Sequence, residues 1–377
     1  MNNIPTLNRA WFLPIPVFII FSCTSKNKVL YSAFPKLDSL EVVMPIEFLN
    51  QTNWTTYNTN GKTILVEYGI NGNDNLLIHQ VDFNKGKYLE PIKILREGPE
   101  GYNSSTASVL FKNKDSIFVF PAARQSFFLY NSNGKQLDEF TYNSKDYTRY
   151  YRGGYYSSPV FINKKAVLTT INDTRYDDPE YFEKVSPIQF YDFESSGFTK
   201  HLNYPNFVFE KHTASNYTGA TVSQMPRNQL LINYNFSDSI FIFDVRTESM
   251  NSFYCGSEFF GKPNLLNKVP DKRREFEYVI KEVNYESSFF HGGKVYRVVS
   301  HLENSKFYDY SPYDILQQNA RVVSLIELDL ATKKLKYYKM PIAKYFVFQD
   351  NKLFVGGVSI REEGSETYRR FYEYTLE

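Results

Sequence analysis

The sequence is poor in the residues that stabilise or activate a protein through covalent or metal chemistry. It has only two cysteines and five histidines among 377 residues. One cysteine lies at the end of an apolar leader, so no internal disulfide is expected in the mature chain. The histidines form no metal-binding motif with each other or with cysteine. We therefore expect a hydrophobic core to provide the stability, and we expect no metal and no cofactor.

Net charge is also low. The 43 Lys and Arg residues nearly balance the 41 Asp and Glu residues, which leaves +2 at pH 7. This balance gives no overall field that would attract nucleic acid, so no nucleic-acid partner is expected. A phosphate-binding loop and a nucleophile-elbow serine are both missing, and His291-Gly292-Gly293 is interpreted as a turn. The sequence therefore leaves the molecular activity open.

No hydrophobic run is long enough for a permanent membrane span. Residues 10–21 are apolar but include two prolines, and 12 helical residues would rise roughly 18 Å against a hydrocarbon core of ~30 Å. Ile20-Phe21-Ser22-Cys23 follows, in the pattern of a bacterial lipobox. We expect residues 1–22 to be a lipoprotein signal peptide, 23–35 a lipidated N-terminus and tether, and 36–377 a single domain. The alternative is an ordinary signal peptide with Cys23 as a free thiol.

This leader predicts the compartment. Lipid on Cys23 would hold the protein on a membrane of the bacterial cell envelope, as an outer-membrane lipoprotein. The residues after the cysteine, Thr24 to Lys28, include no acidic run of the kind associated with surface export. A periplasm-facing position is therefore favoured over the cell surface.

Aromatic residues are abundant, at 18% of the chain, and short runs of alternating polarity favour strands over helices. A unit of strand, polar turn and second strand recurs near Asp82, Tyr130, Asp192, Asp244 and Asp329, at spacings of 48, 62, 52 and 85 residues. Repeats of about 50 residues with several strands each are typical of a β-propeller. The sequence predicts an all-β propeller with six blades, or seven if the 85-residue interval holds another.

The two ends of the chain are expected to meet. Residues 370–376 form a last strand with no following partner, and Ser39 to Met44 form a free strand of suitable length. Pairing of these strands would close the ring and remove an exposed sheet edge. The 85-residue interval instead favours a helical insertion, capped by Asp271 and with Phe276, Val279, Ile280 and Val283 on one face. Two shorter helices are expected after 178–180 and 311–314.

The lipobox, the repeated hairpins and the segment Arg96-Glu97-Gly98-Pro99-Glu100-Gly101-Tyr102 together resemble one family. The chain is similar over its whole mature length to the six-bladed β-propeller lipoproteins of Bacteroidetes, especially the group called domain of unknown function 4221 (DUF4221). The resemblance implies the fold and the compartment. It implies no activity, and no site residue can be transferred from it.

One segment has the composition of a binding surface. Residues 147–156 contain five tyrosines, two arginines and a glycine pair, which suit stacking on a planar ligand and contact with its polar groups. Together with the segment 96–102, they give the candidate ligand- or partner-binding residues: Arg96, Tyr102, Arg149, Tyr150, Arg152 and Tyr155. Packing of these tyrosines between blades is the competing interpretation.

Two classes of function fit these observations. The first is a non-catalytic binding or assembly module for a protein, peptide or glycan, which needs only a rigid scaffold with variable loops. The alternative is a glycan-active hydrolase or lyase with its site at the mouth of the channel. No pair of carboxylates can be placed there from the sequence, so no catalytic residue is assigned.

Overall fold

The computed structural model describes residues 31–32, 34–45, 53–122, 124–142, 148–152, 160–172, 178 and 180–376. Within them, 26 strands form six antiparallel sheets. Blade 1 contains β2 (Asn53–Thr59), β3 (Lys62–Ile70), β4 (Leu76–Asp82), β5 (Lys87–Tyr88) and β6 (Ile92–Ile94). Blade 2 contains β7 (Ala107–Asn113), β8 (Ser116–Pro121), β9 (Ser126–Tyr130) and β10 (Gln136–Thr141). Blade 3 contains β11 (Thr148–Arg152), β12 (Val160–Ile162), β13 (Lys165–Asn172), β14 (Ile188–Asp192) and β15 (Gly197–Leu202).

The remaining three sheets complete the ring. Blade 4 contains β16 (Ala220–Met225), β17 (Gln229–Tyr234), β18 (Ser239–Asp244) and β19 (Ser249–Tyr254). Blade 5 contains β20 (Asn284–His291), β21 (Lys294–Leu302), β22 (Arg321–Asp329) and β23 (Leu335–Met340). Blade 6 contains β24 (Tyr345–Gln349), β25 (Lys352–Glu363), β26 (Glu366–Thr375) and, from the other end of the chain, β1 (Lys36–Val43). The six-bladed β-propeller predicted from the repeat is confirmed.

Polar side chains at the strand ends form the repeated hairpins. In blade 1 this residue is Asp82, whose Oδ1 accepts a hydrogen bond from the backbone N–H of Asn84 at 3.0 Å. Residues at the corresponding positions make the same bond two residues ahead, at 2.9 Å in each case: Asn131, Asp192, Asp244 and Asp329. These bonds replace ladder hydrogen bonds where the chain reverses, as expected for Asx turns. The motif found in the sequence is therefore the turn between the third and fourth strands of blades 1 to 5.

The core lies between neighbouring blades. Separate clusters of buried side chains join blades 1 and 2, 2 and 3, 3 and 4, and 4 and 5, and a further cluster joins blades 5, 6 and 1. Aromatic rings fill much of this space. Phe127, for example, packs edge-on against Tyr191 of the next blade, with ring centroids 4.8 Å apart. Buried aromatic pairs of this geometry each contribute about 0.5–1.5 kcal/mol beyond the area that they bury.

The N-terminal strand closes the ring, as the sequence predicts. β1 pairs antiparallel with β26, and Ser39 lies opposite Tyr372. The strand begins at Lys36, three residues earlier than expected, and its partners are residues 368–374. Glu41 fixes this register, because its Oε1 accepts from Arg370 Nη2 and its Oε2 accepts from Arg361 Nη2, both at 2.6 Å.

A buried ion pair lies at the same closure, between blades 6 and 1. Glu67 on β3 accepts a hydrogen bond from Arg369 on β26, and their side chains are 1% and 2% exposed. Tyr345 and Tyr88 also donate their hydroxyl hydrogens to this carboxylate. Burial acts to raise the pKa of Glu67, but Arg369 and the two hydroxyls outweigh it and lower that pKa below its usual value.

The two faces of the ring differ. Because successive strands run antiparallel, the connections alternate between the faces. On one, the turn face, each connection between consecutive strands has two to five residues, such as 60–61 and 330–334. The other, the loop face, carries the connections 95–106, 255–283 and 303–320 and the three α-helices found among the described residues: α1 (Tyr181–Lys184), α2 (Lys272–Lys281) and α3 (Pro312–Gln317). The 85-residue interval therefore holds α2 and α3 rather than a seventh blade.

Candidate functional site

The segment containing Arg96 is a structured loop on the loop face, between blades 1 and 2. Arg96 Nη1 donates to Asp74 Oδ2 at 2.8 Å, and the backbone N–H of Arg96 donates to Asn75 Oδ1 at 3.2 Å. Gly101 lets the loop fold back, because a Cβ at this position would lie 2.5 Å from the carbonyl oxygen of Arg96. The Arg96 side chain is about one-third exposed, at 32%. It therefore presents part of its guanidinium to solvent from a fixed position.

Tyr102 lies beneath this loop and not on its surface. Its side chain is fully buried in the cluster between blades 1 and 2. The hydroxyl donates to the carbonyl oxygen of Asp74 at 3.4 Å, and burial raises the pKa of Tyr102 to about 12. Tyr102 thus joins the loop to the same residue that holds Arg96. It positions the loop and does not itself offer a surface to a partner.

The candidate residues Arg149, Tyr150 and Arg152 belong to β11, at the loop-face end of blade 3. β11 pairs with the last residues of β13, so that Tyr150 lies opposite Ile171 and Arg152 opposite Thr169. β12 pairs with the beginning of β13 instead, and the two short strands share one edge of the blade. Arg96 and β11 thus lie on the same face but on different blades. Cys23 and Tyr155 fall outside the described residues, as do residues 1–22.

A surface that the sequence did not single out lies on blade 5. α2 begins after Asp271, whose Oδ1 accepts the N–H of Arg274 at 2.8 Å, and α3 begins after Ser311. Phe276 of α2 and Tyr313 of α3 are exposed, and their ring centroids are 5.5 Å apart. The sequence placed Phe276 on the buried face of the helix, and this was wrong. Tyr278 is buried instead: its ring packs edge-on against Tyr217, and its hydroxyl accepts from that of Thr213 at 3.1 Å.

Two exposed cations, Lys272 and Arg273, precede Phe276 by about one turn of α2, while the nearby acids have partners within the fold. Glu275 accepts from the backbone N–H of Ser215 at 3.0 Å and from its hydroxyl. Glu277 forms ion pairs with Lys281 and Arg274 on its own helix, at 3.0 and 3.4 Å. Among the described residues, no acidic group lies within ion-pair distance of Lys272 or Arg273. We call the exposed set Lys272, Arg273, Phe276, Tyr313 and Leu316 the α2–α3 surface; it is basic and aromatic.

Two partly buried carboxyl groups lie below α2. Burial raises the pKa of both Glu282 and Glu286 above the usual value. The adjacent Arg321 donates through Nη1 to the carbonyl oxygens of Ile280 and Glu282, at 2.6 and 3.1 Å. Tyr217 donates its hydroxyl hydrogen to the carbonyl of Glu282 at 3.1 Å. Arg321 thus satisfies carbonyls at the C-terminus of α2, and this polar cluster holds the helix on the blade.

Groups suited to nucleophilic or metal chemistry do not gather elsewhere in the described part of the chain. No three His, Cys, Asp or Glu side chains of these residues lie where they could hold a metal ion. Cys255 is fully buried, and burial raises the pKa of its thiol to about 11, which keeps it protonated and unreactive. None of the helices described has both the length and the apolar character needed to cross a membrane.

The fold defines the chain as a six-bladed β-propeller, and solved structures show the same architecture. A DUF4221 family member from Bacteroides vulgatus matches with a TM-score of 0.69 and 15% identity, over 91% of this chain and 98% of that one. A protein of Bacteroides fragilis inferred to be exported matches with a TM-score of 0.52 and 13% identity, over 90% and 94%. The resemblance to DUF4221 is thus confirmed at the level of the fold. No family model and no curated protein sequence matches the chain.

Proposed function

We propose that this protein is a lipid-anchored β-propeller of a bacterial cell envelope that binds a protein, peptide or glycan partner through its loop face, without catalysis. The observation that carries the proposal is the α2–α3 surface. Phe276 and Tyr313 are exposed there, and on the same helix as Phe276 are the exposed cations Lys272 and Arg273, for which the described part of the chain shows no ion pair. Large aromatic side chains and arginine are the residues that most often dominate binding energy at interfaces.

The difference between the two faces supports the same proposal. On the turn face the connections between consecutive strands are short, with two to five residues each. The loop face carries the 29-residue connection 255–283 and the 18-residue connection 303–320, which are far longer than the turns that join other strands of these blades. Recognition residues in scaffolds of this kind are concentrated on such connections, because a rigid core holds them in place. Arg96 and the strand β11 contribute to the same face.

The anchor in this proposal is lipid on Cys23, supported by the lipobox pattern at residues 20–23. Each acyl CH₂ that enters a membrane contributes about 0.8 kcal/mol, so two or more chains hold a protein firmly. We expect the wild-type protein to fractionate with membranes and Cys23→Ala to appear in the soluble fraction. A Cys23→Ala variant that stays with the membranes would contradict the anchor.

Site-specific photo-crosslinking tests the recognition surface. A benzophenone amino acid in place of Tyr313, whose residue is 70% exposed, leaves the core unchanged. We expect it to form a specific adduct with an envelope component in intact cells. The matched control carries the same group at Lys334, which is exposed on the turn face. Equal adducts at both positions, or adducts at Lys334 alone, would contradict binding through the loop face.

A further inference from the structure

The turn face has a cleft between blades 1 and 2 that is independent of the surface proposed above. Its volume is about 460 Å³, within the range of small-molecule sites. Tyr57 and Gln80 line it from the body of blade 1, and Lys62, Lys85 and Lys114 line it from the surrounding turns. The cleft therefore combines a buried polar floor with a basic rim.

An interruption in blade 1 opens this cleft. The fourth strand has six residues in blades 2 to 5 and eight in blade 6, but in blade 1 it is divided into the two-residue β5 and the three-residue β6. Between them, residues 89–91 leave the ladder after one last bond, from Leu89 N–H to the carbonyl oxygen of Gln80 at 2.8 Å. Pro91 has no N–H to continue the pairing. Gln80 therefore lies beside the interrupted edge, and residues 89–92 line the same cleft as its side chain.

The floor of the cleft is pre-arranged. The Tyr57 hydroxyl donates to Gln80 Oε1 at 2.7 Å, and the Tyr57 ring stacks on Phe111 of blade 2 with centroids 4.8 Å apart. Burial raises the pKa of Tyr57 to about 12, so the hydroxyl keeps its proton at neutral pH. Ile64 and Ile92 provide apolar wall beside these groups. The floor thus offers polar groups and an apolar strip side by side.

The turns that form the rim are rigid. Asp82 Oδ1 accepts the backbone N–H of Lys85, and Ser132 Oγ donates to Asp115 Oδ1 at 2.8 Å, which joins two turns of blade 2. Gly134 comes so close to blade 1 that a Cβ there would lie 2.2 Å from the carbonyl oxygen of Lys93. Little ordering entropy is therefore lost when a ligand enters.

The charge at the mouth is positive. Lys85 and Lys114 have side chains 55% and 71% exposed, and Lys62 is half-buried. Asp82 lies deeper, and its Oδ1 already accepts two backbone N–H groups. Glu90 is the remaining acid that lines the cleft. Lys85 Nζ lies 3.9 Å from Asp82 Oδ2 and Lys114 Nζ lies 3.6 Å from Asp115 Oδ2, so both lysines are loosely paired at the rim. The three lysines outnumber the two carboxylates that line the cleft, and this excess of one positive charge favours an anionic ligand.

We propose that this cleft binds an acidic sugar, a saccharide unit that bears a carboxylate. The lysines of the rim would contact the carboxylate, and the amides and hydroxyls of Gln80, Asn60 and Ser132 would exchange hydrogen bonds with ring hydroxyls. The apolar wall suits the C–H face of a sugar ring better than it suits a compact inorganic anion. This site goes beyond the partner surface on the opposite face, and either could exist without the other.

Calorimetric titration of the purified full-length protein tests the proposal with three probes. They are digalacturonate, the uncharged disaccharide galactobiose of the same size, and the acidic dipeptide Glu-Glu. We expect digalacturonate to bind most tightly. The variant Lys85→Gln with Lys114→Gln should weaken its binding about tenfold, because both exposed charge contacts to the carboxylate are lost. Tyr57→Phe, which removes the hydroxyl at the floor, should also weaken it.

A matched double variant, Lys333→Gln with Lys334→Gln, removes the same charge from the corresponding turn of blade 5 and should leave affinity unchanged. Unaltered melting temperatures would show that each variant is folded. The proposal is overturned if digalacturonate gives no binding, if the two double variants behave alike, or if Glu-Glu binds as tightly as digalacturonate. Equal binding of galactobiose would overturn the role assigned to the carboxylate. Crosslinking from position 313 should be unaffected by any cleft variant.

Discussion

Replacing Arg369 with Leu removes the cation from the buried pair at the closure of the ring. Glu67 would keep the two tyrosine hydroxyls but lose its counter-ion at a position that is 1% exposed. Leaving one partner of a buried pair uncompensated costs about 3–5 kcal/mol. With roughly 2.1 cal/mol/K of unfolding entropy per residue over about 350 residues, each kcal/mol lowers the melting temperature by roughly 1.4 °C. We therefore expect a decrease of about 4–7 °C.

The pH dependence gives the second measurement. In the wild type the pKa of Glu67 is lowered, so its stabilisation is complete above the ordinary carboxyl pKa and is lost as pH falls through the lower folded value. Without Arg369, burial dominates and raises the pKa of Glu67. The folded variant then binds a proton more readily than the unfolded variant, so lower pH stabilises its folded state. The difference in melting temperature between wild type and variant should therefore shrink from about pH 7.5 to about pH 5.5.

The matched control is Arg361→Leu, at the same closure. Arg361 is 44% exposed and contacts Glu41 at the surface, so its loss should cost less than about 1 kcal/mol. Thermal unfolding followed by circular dichroism gives all three melting temperatures. If Arg369→Leu lowered the melting temperature no more than Arg361→Leu does, or if its decrease were independent of pH, the buried pair would not stabilise the closure of the ring.

Three further outcomes follow from the structure. Burial lowers the pKa of His301 to about 4, so the free energy of unfolding should fall by about 3 kcal/mol as pH drops from ~6.5 to ~4. In urea titrations, His301→Gln should lack this part of the pH dependence. Cys255 should resist a disulfide reagent in the folded protein and react once urea unfolds it; rapid reaction without urea would contradict its burial. Deleting residues 24–45 removes β1 and exposes the edge of β26, so aggregation or a much lower melting temperature is expected, and an unchanged value would disprove the role of this strand.

Five of the six blades were predictable because each of the five carries a local signal. Asp82 and its counterparts end strands with side chains that bond across their own turns, and such bonds depend only on neighbouring residues. The closing strand followed from counting unpaired strands. Tyr102 could not be assigned in this way, because a tyrosine in a loop has the same sequence whether its ring faces solvent or the next blade. Its burial depends on the position of blade 2.

The cleft was missed for a related reason. The sequence around Pro91 resembles an ordinary strand boundary, and only comparison with the other blades shows that it interrupts a fourth strand. The hairpin turns that form the rim were recognised as structural elements. Their lysines acquire a shared role only when blades 1 and 2 lie side by side. Similarly, Phe276 fits the same helical apolar face as Ile280 and Val283, which are buried, but its own ring is exposed and lies beside that of Tyr313.

The pairing of β1 with β26 also constrains how the chain can fold during synthesis. Lys36 lies opposite Tyr374, so the first strand of the domain waits for almost the last residues to emerge. Until then β1 has no partner, and blade 6 lacks its fourth strand. Contacts between residues so distant in sequence form slowly, because a long loop must close first. A propeller that lacked residues 368–375 would leave β1 unpaired, and completion of the ring therefore reports that the last strand of the domain has been made.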